Sequence, residues 1–324
     1  MISRRVFALG IGAGLLPAPR AALAQPAGKS PLIGVLLPHT LDRDFGAFPA
    51  KLRELGYEDG RTARIVIKSA DTELGRLPAL ATELVAARPD VIVTANTPPT
   101  RAAINATKEI PIVMSLVGDP VGSGFVRNLS RPGGNVTGRA NLVADLAAKR
   151  LQLLKEIVPG ARRIAVLFNP DDSVTTPQRR EIEGAVTLID VAVRFFAVRR
   201  LDGLSQAFED VAAWRADAVW WLSGQEHAFV PPSIALAAER RLPMMVPRRP
   251  QVEAGGLIAY VPDAPAQYRA AAVYVDKILK GARPGDLPVE QPTEIALSIN
   301  LKTAKALGLK LPPSLLARAD DVFE

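Results

Sequence analysis

The chain has 324 residues, 48% of them hydrophobic and 23% charged, enough to bury a full core and to build two domains of ordinary size. Its formal charge of +7 falls to +4 without residues 1–24, which hold Arg4, Arg5 and Arg20 and no acid, a balance too mild for a nucleic-acid partner. No cysteine occurs, which excludes a disulfide framework, a thiolate metal site and a lipid-anchoring cysteine.

The first residues read as an export signal. Ser3-Arg4-Arg5-Val6-Phe7 precedes an uncharged run from Ala8 to Pro19, and Ala22-Leu23-Ala24 supplies the small residues that a signal peptidase reads. Arg4-Arg5 with Phe7 resembles a twin-arginine signal, although a Sec signal also begins with positive charge. The run is too short to span a bilayer, which takes about 20 residues. Cleavage before Gln25, no membrane insertion afterwards and a soluble periplasmic protein are expected.

Leu32 to Leu37 is a short apolar run ended by Pro38, the pattern of a strand buried on both faces of a parallel sheet. Asp44 to Gly56 follows with Phe45, Phe48, Leu52 and Leu55 at helical spacing. Ala63 to Ser69 alternates as a strand, Leu77 to Ala87 is helical, and Val91-Ile92-Val93 is a second buried run. Asn96-Thr97-Pro98 has the grammar of a helix start, with Thr97 as cap, and Ile110 to Val117 is one more strand. This alternation is the doubly wound α/β pattern.

Ser115 to Gly138 carries six glycines and two prolines and reads as a long ordered connector that makes the first crossing between lobes. Beyond the helix Leu146 to Val158, the order repeats. Arg163 to Phe168 corresponds to the first strand, Thr176 to Leu188 to the first helix, Val191 to Val198 to the second strand and Leu204 to Trp214 to the second helix. Asp217 to Leu222 stands where Asp90 to Thr94 stood, Ile234 to Arg240 is the third helix, and Leu242 to Pro247 resembles Ile110 to Met114. Ile33 and Val91 correspond to Ile164 and Ala218, so two α/β lobes of one design are expected. The tail adds a strand at Leu257 to Val261, a helix from Ala264 to Gly281, a strand at Ile295 to Ile299 and a short helix closed by Gly308. These extra elements imply more than one crossing. The expected division is a signal at 1–24, a first lobe at 25–138 with a return segment near 263–290, and a second lobe at 139–262 with a return segment near 291–324.

Enzyme signatures are mostly missing: there is no G-x-S-x-G elbow and no P-loop, and neither His39 nor His227 has a neighbour at metal-ligand spacing. No catalytic residue, metal or cofactor is expected. Gly122-Ser123-Gly124 reads as part of a flexible crossing. The arginine pairs at 162–163, 179–180, 199–200, 240–241 and 248–249 read as a solvated face or as a docking surface for another protein.

Ligands in open α/β sheets bind beyond the carboxyl ends of the strands. That rule selects His39, Thr40, Asn96, Thr97, Asp119, Asn169, Ser223, Gln225 and Tyr260 as candidate ligand contacts. Thr97 is either a plain helix cap or a carboxylate site, the dipole alone contributing about 0.3 to 1 kcal/mol. Asp119 could take a ligand ammonium or form a turn with its own backbone, and Asn169 carries the same alternative. Tyr260 could pack on an apolar ligand group or serve as an ordinary strand aromatic. His39 and His227 are exposed loop residues or ligand contacts.

A resemblance adds to this reading. Gly118-Asp119-Pro120-Val121-Gly122, Arg131 to Gly138, Lys149-Arg150-Leu151 with Leu154-Lys155-Glu156, Glu253 to Leu257, Tyr274 to Gly281 and Ile299 to Ala304 together resemble the periplasmic substrate-binding proteins of ABC transporters. The family includes tryptophan and tyrosine binders, and the similarity spans nearly the whole mature chain. It implies a class I periplasmic-binding-protein fold of two lobes, three hinge strands and a ligand in the cleft. Many relatives have a proline and an acid where this chain has Ser223-Gly224-Gln225, and Arg139 and Pro247-Arg248-Arg249-Pro250 are also unusual. The expected function is capture of a small molecule, an amino acid or related carboxylate, and its delivery to a membrane permease by a monomeric protein. The alternatives are a ligand-sensing module for a membrane receptor and, less favoured, an enzyme on the same frame.

Overall fold

The computed structural model describes residues 30–39, 44–71, 73–141, 146–172, 174–224 and 228–324. The expected signal at 1–24 and the candidates Thr40 and Gln225, together with His227, lie outside the described residues.

The first lobe runs β1 (Leu32–Leu37), α1 (Ala47–Glu54), β2 (Arg64–Ser69), α2 (Leu77–Ala86), β3 (Val91–Ala95), α3 (Thr97–Ala106), β4 (Ile112–Val117) and β5 (Val136–Ala140). The second runs α4 (Ala147–Ile157), β6 (Arg163–Phe168), α5 (Thr175–Val186), β7 (Ala192–Ala197), α6 (Leu204–Ala213), β8 (Ala218–Trp221), α7 (Val230–Glu239), β9 (Met244–Met245), α8 (Arg249–Glu253) and β10 (Ile258–Pro262). The tail is α9 (Ala264–Leu279), β11 (Ile295–Asn300), α10 (Leu301–Ala306), α11 (Pro313–Leu316) and β12 (Asp321–Phe323). Of these, β5, α8, α11 and β12 have no counterpart in the sequence reading, because each is too short to show a period.

The first sheet is parallel throughout, in the order β2-β1-β3-β4-β5. Both of its faces are covered, as its apolar runs require. Ile33, Val35 and Leu37 turn towards α1 and α9, while Leu36 joins the cluster under α2 and α3. Each such fully buried aliphatic side chain contributes about 1.5 to 3 kcal/mol. The second sheet has the order β12-β11-β10-β9-β8-β6-β7, with α4 and α5 on one face and α6 and α7 on the other.

The repeat read from the sequence is physical. Ile33 lies opposite Val91 across β1 and β3, and Ile164 lies opposite Ala218 across β6 and β8. The same aspartate device opens both halves. Asp90 accepts the Leu32 N–H at 2.7 Å, and Asp217 accepts the N–H groups of Arg162 and Arg163 at 2.8 Å.

The glycine-rich connector is not the first crossing. It leaves β4 and returns the chain to the same sheet, because β5 pairs with the open edge of β4. Gly138 makes that pairing possible: its φ is 130°, and a Cβ there would stand 2.1 Å from the Met114 carbonyl oxygen. Residues 139 and 140 therefore belong to the first lobe, and the chain crosses between β5 and α4. It crosses again from β10 into α9, which packs Tyr268, Ala271 and Val275 against Phe45, Phe48 and Leu52 of the first lobe. A third crossing leads to β11. Since β10 leaves the second lobe at the crossing end and β11 re-enters there, the two run antiparallel, so the second sheet is not wholly parallel.

Candidate functional site

The carboxyl ends of both sheets face one cleft of about 1120 Å³. The first lobe contributes Pro38, His39, Asp44, Asn96, Thr97 and Gly118, and the second contributes Asp172, Val174, Ser223, Gly224, Phe229, Arg248 and Arg249. The crossings add Asn141, Pro262, Asp263, Glu294 and Ile295.

On the first-lobe wall two non-glycine residues hold positive φ, Asn96 at 68° and Leu116 at 58°. Such backbone persists only where its surroundings over-determine it, and it clusters at functional sites. Here the surroundings are visible. The Asn96 N–H donates to the Ser115 carbonyl at 2.9 Å, and the Thr100 hydroxyl donates to the Asn96 carbonyl at 2.8 Å. With the Thr100 proton so committed, the buried Thr94 hydroxyl is the donor in its 2.7 Å bond to Thr100.

Helix α3 opens Thr97-Pro98-Pro99-Thr100, with Asn96 at the N-cap position and no side-chain cap. Thr97 is the first helical residue, not the cap, and it is buried. Pro98 and Pro99 carry no N–H, and the Thr100 N–H already reaches Asn96 at 3.4 Å. The helix dipole is present, but the row of backbone donors expected for a carboxylate is not.

The second-lobe wall uses the same design. Helix α7 opens Val230-Pro231-Pro232-Ser233, and the Ser233 hydroxyl donates to the Phe229 carbonyl at 2.7 Å. The Phe229 ring stacks on Trp221 with centroids 5.8 Å apart and 19° between planes. Nearby, Arg249 binds Asp321 through two hydrogen bonds, which hold its guanidinium above its ordinary range, with a further longer-range contribution from Asp44 in the first lobe. Two buried carboxylates line the cleft from opposite lobes, Asp44 at 9% exposure and Asp172 at 3%.

A family model described as ABC transporter substrate binding protein matches residues 34–323. The chain belongs to that family. It is 28% identical over 281 residues to a tyrosine-binding protein of Clostridioides difficile, covering 86% of this chain and 80% of the relative. Among solved structures, a conserved domain protein from Vibrio cholerae matches with a TM-score of 0.85 and 28% identity, over 91% of this chain and 100% of the other. A Streptococcus pneumonia ABC domain in complex with L-Trp matches with a TM-score of 0.83 and 26% identity, over the same shares.

In this substrate-binding protein the cleft brings together His39, Asn96, Thr97 and Ser223 from the candidates named above. Asp119, Asn169 and Tyr260 do not line it. The Asp119 carboxylate accepts the Gly122 N–H at 2.7 Å, and Asn169 accepts the Asp171 N–H at 3.0 Å, both acting as turn formers. Tyr260 packs against the second-lobe core, and its carbonyl accepts from Arg150 at 2.8 Å. Burial lowers the pKa of Arg150 to about 10, still charged at neutral pH.

The cleft is also lined by residues that sequence reasoning did not single out, Asp44, Phe229 and Asp263, and by Asp172 in the loop after β6 rather than by Asn169 of that loop. One signal was available, since Thr97-Pro98-Pro99-Thr100 and Val230-Pro231-Pro232-Ser233 are the same motif one repeat apart. The arginine pairs do not form one face. Arg248 and Arg249 line the cleft, Arg179 stacks on Phe168 and Phe195, and Arg240 pairs with Glu209. Among the described residues no group of three or more His, Cys, Asp or Glu could hold a metal, and no helix is long and apolar enough to cross a membrane.

Proposed function

We propose that this chain is a non-catalytic carrier that captures an amino acid or related carboxylate between its lobes and delivers it to an ABC transporter permease. The observation that carries the reading is the cleft itself, whose walls come from both lobes and whose strained backbone at Asn96 and Leu116 is braced from behind. A ligand that touches both walls favours closure by binding the closed form better than the open one. The relatives support the substrate class, one being called a tyrosine-binding protein and another holding L-Trp.

His39, Asn96, Thr97 and Ser223 are the proposed contacts from the sequence-derived set, and Phe229 adds an aromatic surface. Because the start of α3 lacks a row of donors, the ligand carboxylate is held by side chains, with Arg248 on the opposite wall. Export directed by residues 1–24 would place the protein in the periplasm.

A thermal-shift screen of amino acids and small carboxylates tests the substrate class, since a ligand specific to the folded state raises its stability by mass action. L-tryptophan or L-tyrosine should raise the melting temperature in a concentration-dependent way, and calorimetry should give one site per chain. Response to sugars alone would overturn the amino-acid reading, and turnover of a bound compound would overturn the carrier.

A further inference from the structure

We propose that Gln178 is the positioning residue of the second-lobe wall: its buried side-chain amide fixes the Ser223 peptide so that the serine hydroxyl is presented to the ligand. This rests on the reading of the cleft as the ligand site.

Gln178 lies on α5, one turn in, and is 1% exposed. Its Nε2 donates to the Ser223 carbonyl at 2.7 Å and to the Val174 carbonyl at 2.9 Å, while its Oε1 accepts the Ser223 N–H at 3.2 Å. One side chain thus binds the loop after β6 and the loop after β8, both of which line the cleft. A primary amide has the donor and acceptor spacing of a peptide, so it completes both backbone groups of Ser223 as a neighbouring strand would.

The cost of this arrangement argues for its purpose. Ile182 and Ala185 on the same helix face pack into the apolar core, and an aliphatic residue at 178 would continue that stripe. Instead the position holds an amide with both of its polar atoms bonded, which specifies one placement of a loop 45 residues away. The loop also packs closely against the loop after β6, since a Cβ on Gly224 would stand 2.0 Å from Asp172 Oδ2. With the Ser223 N–H and carbonyl committed, the group left for a ligand is its hydroxyl, which bonds to no described residue. Ser223 is half-buried at the cleft surface.

The test compares Gln178→Met, which keeps length and loses the amide, with Gln178→Glu, which keeps an acceptor for the Ser223 N–H but faces two carbonyls with a carboxylate. Ile182→Val serves as a control that loosens the same helix. Two readouts are taken: hydrogen exchange of the Ser223–Gly224 amides without ligand, and the affinity for L-tryptophan. Exchange should quicken and affinity should fall by about tenfold or more in Gln178→Met, with Gln178→Glu similarly affected and Ile182→Val within about twofold of wild type on both. If Gln178→Met does not fold, Gln178→Glu carries the comparison. Unchanged exchange in the loop, or an affinity that falls equally in the Ile182→Val control, overturns the positioning role. Wild-type protein that binds no amino acid or small carboxylate overturns the ligand reading instead, and the exchange arm still decides the brace.

Discussion

The guanidinium of Arg249 holds the carboxylate of Asp321 with Nε 2.7 Å from Oδ2 and Nη2 2.9 Å from Oδ1. The pair ties α8, beside the cleft, to the terminal strand β12. Ser298 adds a 3.1 Å hydrogen bond to the same carboxylate, and Phe323 lies under the guanidinium at 5.2 Å. Arg249 is the main reason that Asp321 titrates below the usual carboxylate range. A carboxyl whose folded-state pKa is depressed adds stability that is complete above its unfolded pKa and is lost as pH falls through the folded value.

Asp321→Asn should therefore cost about 1 kcal/mol at pH 7, less than the roughly 1.5 to 3 of a buried charged hydrogen bond because both groups are partly exposed. The penalty should shrink as pH drops below about 4. Urea unfolding of both proteins across that range measures it, and a penalty independent of pH would show that the loss is one of packing.

Gly138→Ala should be severely destabilising. The φ of 130° and the 2.1 Å approach to the Met114 carbonyl leave neither a conformation nor space for a methyl group. A loss of about 2 to 5 kcal/mol is expected, with β5 detaching from the sheet. Gly134→Ala, with nothing within 4 Å of the added carbon, should change stability by no more than about 0.5 kcal/mol. Thermal melts of the two variants side by side separate backbone geometry from a general intolerance in the connector.

Gln267→Leu should raise stability. Gln267 is 1% exposed on α9, and neither of its amide atoms has a hydrogen-bond partner among the described residues. Removing a buried unsatisfied amide while keeping volume should gain about 1 to 2 kcal/mol. A lower melting temperature would mean that water or ligand satisfies the amide.

Asn96→Gly tests the strained corner. Glycine accepts the φ of 68° without penalty, so the variant should be at least as stable as the parent. Its affinity for L-tryptophan should drop by about tenfold, because the amide at the cleft wall is gone. Rising melting temperature with falling affinity is the expected signature, and affinity that holds would remove Asn96 from the ligand contacts.

The sequence by itself determined the two lobes, and the reason is that buried parallel strands leave continuous apolar runs. Leu32 to Leu37 and Arg163 to Phe168 carry that signal, and the similar spacings from Ile33 to Val91 (58 residues) and from Ile164 to Ala218 (54 residues) show the repeat before any contact is known. It also marked the strand-end loops, because the carboxyl ends of parallel strands face the cleft, and so it reached His39, Asn96, Thr97 and Ser223. Only the tertiary structure decided which loop residues turn inward. Asp119 and Asn169 have the composition of ligand contacts, yet their side chains find nearer partners in Gly122 and Asp171, a competition settled by local turn geometry. The fate of the glycine-rich connector was likewise tertiary, since pairing of β5 with β4 depends on an open sheet edge 20 or more residues back in the chain. Partners brought together by folding alone, such as Arg249 with Asp321 and Gln178 with Ser223, leave no period and no motif, because their separation along the chain, 72 and 45 residues, is set by everything that folds between them.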